Sequence, residues 1–573
     1  MEEKKLTGYS SIDKPWLKYY SEEAINAPLP TGSMYDYMCQ CNENRIDAVA
    51  LNYFGRKITH RQLRKNVDSC AQALIANGVK PNDFVSLCLL AIPEAVYLLY
   101  AINKIGAVCN FLVLNSTEQD LHKQIAVCES QIVITMDMVE EKIVKSAMGT
   151  MVEKIVSVSL LQSMPSYLSA LMKLKKRKSA STPGIMRWKD FIKSGRQSKM
   201  PVYYSKDDDC AVIEYTGGTT GESKGVILTN QAGNALAFHY RHSETIFHFQ
   251  AGERFLDILP PFLAYGLYLG IHMPLCVGTE CVISPDPSPH NFPKLICKYR
   301  PNHFTGGPLH LESLMNYPAV QKMDFSFLVT AAFGGDKTSK EWEERTAAFL
   351  SERNARYGVV NGYGMTETAG ACCTTSHELK HMIPFVKNNI KIINVDNGNE
   401  LQYGQEGEIC VSGPTMMKGY YKNDRATSEA IWEENGVRWL HTGDLGYVTE
   451  NGHFVISGRL KRIYWAKGAD GAIYRVYPMQ IEAVISKCPL VHKCSVVGKP
   501  NDDKGFLSIA FIVLQDAANK EDAVAELKKL CEQRLPEPSW PCEYRIVDTL
   551  PATGAGKIDY RTLEQEVQKE VEG

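Results

Sequence analysis

With 573 residues, 44 % of them hydrophobic and 22 % charged, the chain is long enough for more than one packed domain and too apolar to be disordered or fibrous. A net charge of -2 and a pI near 6.7 give no global reason to expect nucleic acid, so any anionic substrate has to be held by local charge. The start, Met-Glu-Glu-Lys-Lys-Leu-Thr-Gly, lacks the apolar core of a signal peptide, and the most apolar windows, 84–114 and 255–284, are broken by prolines and charges such as Pro93, Glu94, Pro260 and Pro274. No spanning helix is expected. The 17 cysteines are odd in number and form no paired Cys-x-x-Cys units, which suits buried thiols in a reducing cytoplasm better than disulfides or zinc.

Taken in order, residues 59–77 read as an amphipathic helix with Thr59 and Gln62 as a capping box, and Leu63, Val67, Cys70, Ala71 and Leu74 at helical spacing. Gly78 supplies its stop. An apolar strand at 84–91, a helix over 94–105 and strands at 132–135 and 155–158 then alternate in the manner of an α/β fold with largely parallel, buried sheets. Residues 160–183 break this rhythm. Leu160, Leu161, Met164, Leu168, Leu171 and Met172 run into Lys173-Leu174-Lys175-Lys176-Arg177-Lys178, which reads as a surface helix and solvated linker, the alternative being a basic amphipathic contact with a membrane or partner.

Residues 215–225, Tyr-Thr-Gly-Gly-Thr-Thr-Gly-Glu-Ser-Lys-Gly, lie between two apolar strands and gather the groups a polyphosphate needs. Gly217, Gly218 and Gly221 permit close backbone approach, Thr216, Thr219 and Thr220 add hydroxyl donors, and Lys224 adds a point charge. A Walker loop is excluded by spacing, because Lys224 stands between Ser223 and Gly225 rather than in a Gly-Lys-Ser/Thr unit. Further on, strands are expected at 255–259 and 327–333, the latter ending in Gly334-Gly335. Residues 386–421 are β-rich, and a second α/β pattern follows Gly458 with strands near 495–497, 507–514 and 543–547 and a helix over 522–533.

Four more clusters carry chemistry. Gly362-Tyr363-Gly364-Met365-Thr366-Glu367 follows a short strand and so projects from a strand end, where an aromatic ring stacks on a purine and a carboxylate holds Mg²⁺. Trp439-Leu440-His441-Thr442-Gly443-Asp444 sets an acid beside a glycine, suited to ribose hydroxyls. Gly458-Arg459-Leu460-Lys461-Arg462 offers cations between domains, and 550–558 presents Lys557 on a Gly-rich loop.

In order and spacing these segments resemble the adenylate-forming (AMP-binding) superfamily, from about residue 35 to 565, and within it the acyl-CoA synthetases. The resemblance implies that Thr216 to Lys224 hold the pyrophosphate end of ATP, Gly334 and Gly335 line the adenine, Tyr363 stacks against it, and Gly364 belongs to the same nucleotide-binding set. It further implies that Thr366 meets the α-phosphate, Glu367 and Thr216 bind Mg²⁺, Asp444 and Arg459 bind ribose, Lys461 is a hinge and Lys557 is the adenylation lysine. The fold expected is a large N-terminal domain (1–457) of α/β sheets with a β-rich subdomain, then a small mobile α+β domain (458–573). The function expected is cytoplasmic ATP- and Mg²⁺-dependent joining of a carboxylic acid, with a fatty acid as the preferred substrate class, to coenzyme A. Loading of an acyl or aminoacyl carrier protein is the nearest rival, and a non-catalytic nucleotide-binding protein is disfavoured by the retention of Glu367 and Lys557.

Three departures from the family pattern stand out: Leu263 replaces a frequent histidine after Phe262, Gly218 replaces a common serine, and about five or six extra residues lie between Ile463 and Pro478. The uncharged segment 262–266, with small residues at Gly270, Gly306 and Gly307 leaving room for a tunnel, points to an apolar acid of medium or long chain.

Overall fold

The computed structural model describes residues 6–175, 182–199, 203–216, 223–243, 247–335, 338, 340–515, 519–551 and 558–572. The α/β architecture is as expected. Thr59 caps the helix His60–Ala76, its hydroxyl accepting the Gln62 N–H at 3.3 Å while the Gln62 side chain accepts the Thr59 N–H at 3.0 Å. The five apolar residues at helical spacing all point into the core.

Strands Phe84–Cys88, Val108–Phe111, Ile132–Met136 and Lys154–Val158 pair in parallel within an eight-stranded sheet. They are mostly apolar and buried, with Ser86, Asn110, Thr135 and Ser157 as buried polar exceptions, because both faces of the sheet are covered. After Lys154–Val158 comes α1 (Ser166–Lys175). β1 (Cys210–Tyr215) then joins Val108–Phe111 in parallel, and β2 (Gly225–Thr229) returns antiparallel to it, so the phosphate-type loop is the connection of a hairpin.

A nine-stranded sheet has β3 (Arg254–Asp257), Glu280–Ile283, His303–Gly306, β4 (Thr330–Gly334) and β5 (Val359–Tyr363) running parallel. Gly334 pairs with Gly362, so the carboxyl ends of β4 and β5 lie side by side. Between β3 and Glu280 the chain forms a π-helix, Tyr265–His272.

The β-rich segment is an antiparallel sheet containing Asn389–Ile393 and β6 (Gly407–Ser412). β7 (Gly419–Tyr420) leaves that layer and pairs with β2, Tyr420 opposite Val226. β8 (Val437–Val448) and β9 (Phe454–Arg459) complete the antiparallel sheet. Residues 442–444 lie inside β8, where Gly443 at φ +69° and a register shift opposite Glu408 kink the strand.

A fourth sheet, Tyr464–Lys467, Ile473–Val476, Val491–Asn501, Gly505–Leu514 and Glu543–Ile546, forms the small C-terminal unit. α2 (Tyr560–Glu572) packs on it through Leu563 and Val567 against Val497, Ile509 and Phe511. The extra residues after Ile463 form a β-hairpin of this sheet. Its Arg475 reaches Asp396 of the antiparallel sheet at 2.7 Å. All seventeen cysteines are free. Among the described residues no helix is long and apolar enough to cross a membrane.

Candidate active site

The two ends of the phosphate-type loop are tied together. Thr216 N–H donates to the Lys224 carbonyl at 3.1 Å, and Lys224 N–H donates to the Thr216 hydroxyl oxygen at 3.3 Å. Gly217, Gly218, Thr219 and Thr220 lie outside the described residues, as does Lys557. The Lys224 ammonium sits 4.2 Å from the centre of the Tyr420 ring.

That same tyrosine donates its hydroxyl to Glu367 Oε1 at 2.7 Å. Glu367 is buried in a short 3₁₀ turn, Thr366–Thr368, that follows β5, and its carbonyl accepts Met417 N–H at 2.8 Å. With Oε1 engaged by Tyr420, Oε2 is the oxygen suited to a hard cation, and the Thr216 hydroxyl is a neutral oxygen of the kind Mg²⁺ accepts. Thr366 is half-buried beside Glu367.

A second cluster is built around Asp444. Its Oδ2 accepts the Tyr363 hydroxyl at 2.7 Å and its Oδ1 meets Arg459 Nε at 2.8 Å. Asp444 and Arg459 face each other across β8 and β9. Asp444 raises the affinity of the Arg459 guanidinium for its proton, and burial, then Asp444, pushes the Tyr363 phenol well up, so the pair is a fixed charge beside a neutral ring. Tyr363 also packs on Phe454 at 5.3 Å. Gly334 ends β4 beside the Tyr265 ring, and Gly335 follows at φ +85°. Gly364 has no room for a side chain, since a Cβ would lie 2.3 Å from Ala371 Cα. Lys461 lies in the turn Leu460–Arg462 directly after β9; its neighbour Arg462 is fixed by Glu482 and by the Tyr560 ring of α2.

Profiles of known families match this chain in two places: AMP-binding enzyme over residues 39–421, and AMP-binding enzyme C-terminal domain over residues 480–557. The chain belongs to the AMP-binding enzyme family. The long-chain-fatty-acid–CoA ligase of Bacillus subtilis (strain 168) is 27 % identical over 566 residues, covering 96 % of this chain and 98 % of that protein. The probable 4-coumarate–CoA ligase 1 of Dictyostelium discoideum is 28 % identical over 508 residues, 87 % of this chain and 88 % of that one. The structure of the anthranilate CoA ligase AuaEII with anthranoyl-AMP shares the fold, with a TM-score of 0.81 at 20 % identity over 96 % of this chain and all of that one. The chain is thus an enzyme of the adenylate-forming, acid-thiol ligase type, as its motifs led one to expect.

Two residues of this AMP-binding enzyme escape a reading of its sequence. Tyr420 has no chemical signature in Met-Lys-Gly-Tyr-Tyr; only the pairing of β7 with β2 brings it to Glu367, 53 residues away. Glu408 reads only as the start of a strand, yet its Oε2 accepts from His441 Nδ1 at 2.9 Å and its Oε1 from Gly443 N–H at 3.1 Å. It thereby holds the kinked segment that carries Asp444. Glu408, Cys410 and His441 offer ligand atoms within 4.8 Å of one another, but both Glu408 oxygens are occupied by these hydrogen bonds, which makes the group an anchor.

The expected tunnel glycines also have a different use. A Cβ at Gly270 would lie 2.4 Å from Asp257 Oδ1, and one at Gly306 would lie 3.3 Å from His310 Cβ. These glycines make room for protein side chains. Asp257 is fully buried below the π-helix, and burial pushes its carboxyl up to about 8, so it is a neutral acid near neutral pH. Leu263, where the family often has histidine, is half-buried and adds no polar group there.

Proposed function

We propose that this enzyme activates a carboxylic acid with ATP to an acyl-adenylate and then transfers the acyl group to coenzyme A. The observation that carries this reading is the pairing of Asp444 with Tyr363 and Arg459 at one end of the site, and of Glu367 with Tyr420 and Lys224 at the other. In this reading Asp444 accepts the ribose hydroxyls, the Tyr363 ring borders the adenine, and Thr366 with the loop 216–224 meets the phosphates. Glu367 and Thr216 would hold Mg²⁺, which when bound neutralises charge on the polyphosphate. Lys557 approaches from the C-terminal domain, taken as 458–573, and bridges the acid carboxylate and the α-phosphate as the new bond forms.

The finer reading is a fatty acid. It is supported by the relatives named long-chain-fatty-acid–CoA ligases and by the apolar residues Phe262 and Ala264 before the π-helix. The coumarate–CoA ligase relatives favour an aromatic acid as the second reading. ATP–pyrophosphate exchange across acetate, succinate, octanoate, palmitate and a coumarate separates them, because exchange reports the first half-reaction alone. Octanoate or palmitate is expected to give the highest kcat/KM. Coumarate in first place transfers the assignment to aryl acids, acetate or succinate in first place removes the apolar-acid reading, and no exchange with any acid removes adenylation.

A further inference from the structure

We propose that the ion pair between Arg475 and Asp396 is a latch that holds the C-terminal unit in one of the two orientations a two-step reaction needs, which makes both of them positioning residues. The inference rests on the function proposed above. Arg475 lies on the second strand of the hairpin formed by Tyr464–Lys467 and Ile473–Val476, the stretch in which this chain is longer than the family pattern. Asp396 lies in the turn after Asn389–Ile393, on the antiparallel sheet. Among the described residues theirs is the one ion pair that joins the chain before Arg459 to the chain after Arg462.

An exposed ion pair usually contributes little, because two long side chains have to be held in one geometry. Here both ends are held already. The hairpin is tied to the small unit by the Lys467 N–H, which donates to the Lys504 carbonyl at 2.9 Å, and near its tip by the Ala469 N–H, which donates to Glu537 Oε2 at 3.1 Å. Trp465 is the cross-strand partner of Arg475, and its ring centre lies 4.8 Å from the guanidinium, so the ring backs that side chain. On the other side, Asn394 Oδ1 accepts the Asp396 N–H at 2.8 Å and the Asn394 carbonyl accepts the Gly398 N–H at 2.9 Å, so the carboxylate stands on a closed turn. With each partner fixed to its own sheet, a contact of 2.7 Å does not survive a turn of one sheet against the other about Lys461. The pair therefore stabilises this orientation and is lost in the other, which biases the equilibrium between them by its own strength. Arg475 is 30 % and Asp396 70 % exposed, so the bias is that of a surface pair, about two- to fivefold.

The test compares the two half-reactions in the full-length enzyme: ATP–pyrophosphate exchange with octanoate, and single-turnover thioester formation from supplied octanoyl-adenylate and coenzyme A. Coumarate and its adenylate take their place if coumarate gives the faster exchange. The ratio of the two rates follows the ratio of the two orientations, whereas a loss of folded enzyme lowers both rates alike and leaves the ratio where it was. Asp396→Asn and Arg475→Gln should each move the ratio about two- to fivefold, in the same direction. The double variant should move it no further, because either change alone removes the pair. A ratio unmoved in both single variants overturns the latch, and so do shifts of opposite sign or a double variant in which the two shifts multiply. A parent inactive in both steps with either acid would overturn the proposed function and the latch with it, whereas a parent active in both steps with an unmoved ratio in the variants overturns the latch alone.

Discussion

Tyr420 serves two neighbours through two different parts of one side chain. Its ring lies under the Lys224 ammonium and its hydroxyl holds Glu367. Partners that orient a cation's ligand typically govern affinity for that cation by about ten- to a hundredfold. Tyr420→Phe keeps the ring and loses the hydroxyl, so the Mg²⁺ half-saturation of exchange, and Mn²⁺ affinity by EPR titration, should weaken by about that factor while KM for ATP at saturating Mg²⁺ stays near the parent's. Tyr420→Leu should in addition raise KM for ATP, on the order of fivefold for one cation–π contact of about 1 kcal/mol. An unchanged cation affinity in Tyr420→Phe would reduce the hydroxyl to a packing detail. Asp257 gives a prediction about pH. Its folded carboxyl titrates at about 8, against 3.8 for an ordinary aspartate, because burial penalises the charged form. The raised folded value means that its contribution to stability is complete below about pH 4 and is lost as pH rises through about 8. Asp257→Asn removes that loss, so the stability difference between variant and parent should grow in the variant's favour from pH 5 to 8, by at most about 1.4 kcal/mol per pH unit. Urea midpoints at pH 5, 6.5 and 8 measure it; a constant difference would show that Asp257 does not titrate in this window.

At the scale of elements, β6 and β8 act as one device. The kink in β8 at Gly443 turns Asp444 toward Tyr363, and Glu408 on β6 holds that kink by accepting from His441 and Gly443. A hydrogen bond to a charged group contributes about 1.5 to 3 kcal/mol when its partner would otherwise be left unmet. Glu408→Gln should therefore raise KM for ATP by roughly tenfold with little change in kcat, and, on the proposal that Asp444 accepts the ribose hydroxyls, it should erase most of the parent's preference for ATP over 3′-deoxyATP. Kinetics with both nucleotides check this. If the variant keeps the preference and loses only thermal stability, Glu408 is a structural residue. The helix His60–Ala76 shows the opposite case, an element whose cap, apolar stripe and end are all readable from neighbours within one or two turns. The hairpin at 464–476 lies between: the sequence marks extra residues there, but neither their strand pairing nor the ion pair with Asp396 follows from that.

At the scale of the whole molecule, the proposed reaction needs Lys557 at the α-phosphate in one step and away from it in the next. A small C-terminal unit behind the turn Leu460–Arg462, with Arg462 fastened to it by Glu482 and Tyr560, is suited to turn as a body about Lys461. Lys557→Ala should slow adenylate formation by about a hundred- to a thousandfold, the usual effect of losing one charged contact to the transition state, or about 3 to 4 kcal/mol. Given pre-made acyl-adenylate and coenzyme A, the same variant should form thioester at nearly the parent rate. Equal losses in both steps would refute this division of labour, and an intact first step would remove Lys557 from the mechanism.

What the sequence determined by itself was local. The capping box at Thr59, the glycine-rich stretch between two apolar strands, the strand end before Tyr363 and the order of the motifs are set by backbone preference and periodicity over a few residues, and they suffice for the fold class and the family. Tertiary structure alone decided which side chains meet. Tyr420 reaches Glu367 across 53 positions, and His441 reaches Glu408 across 33, through strand pairing that no spacing rule contains. The glycine at 270 could be read as empty space or as room for a neighbour, and only the fold places Asp257 there. The physical reason is common to all three: side-chain partners are chosen by sheet register and burial, which depend on the packing of the whole chain, whereas helices, turns and loop chemistry depend on the residues next to them.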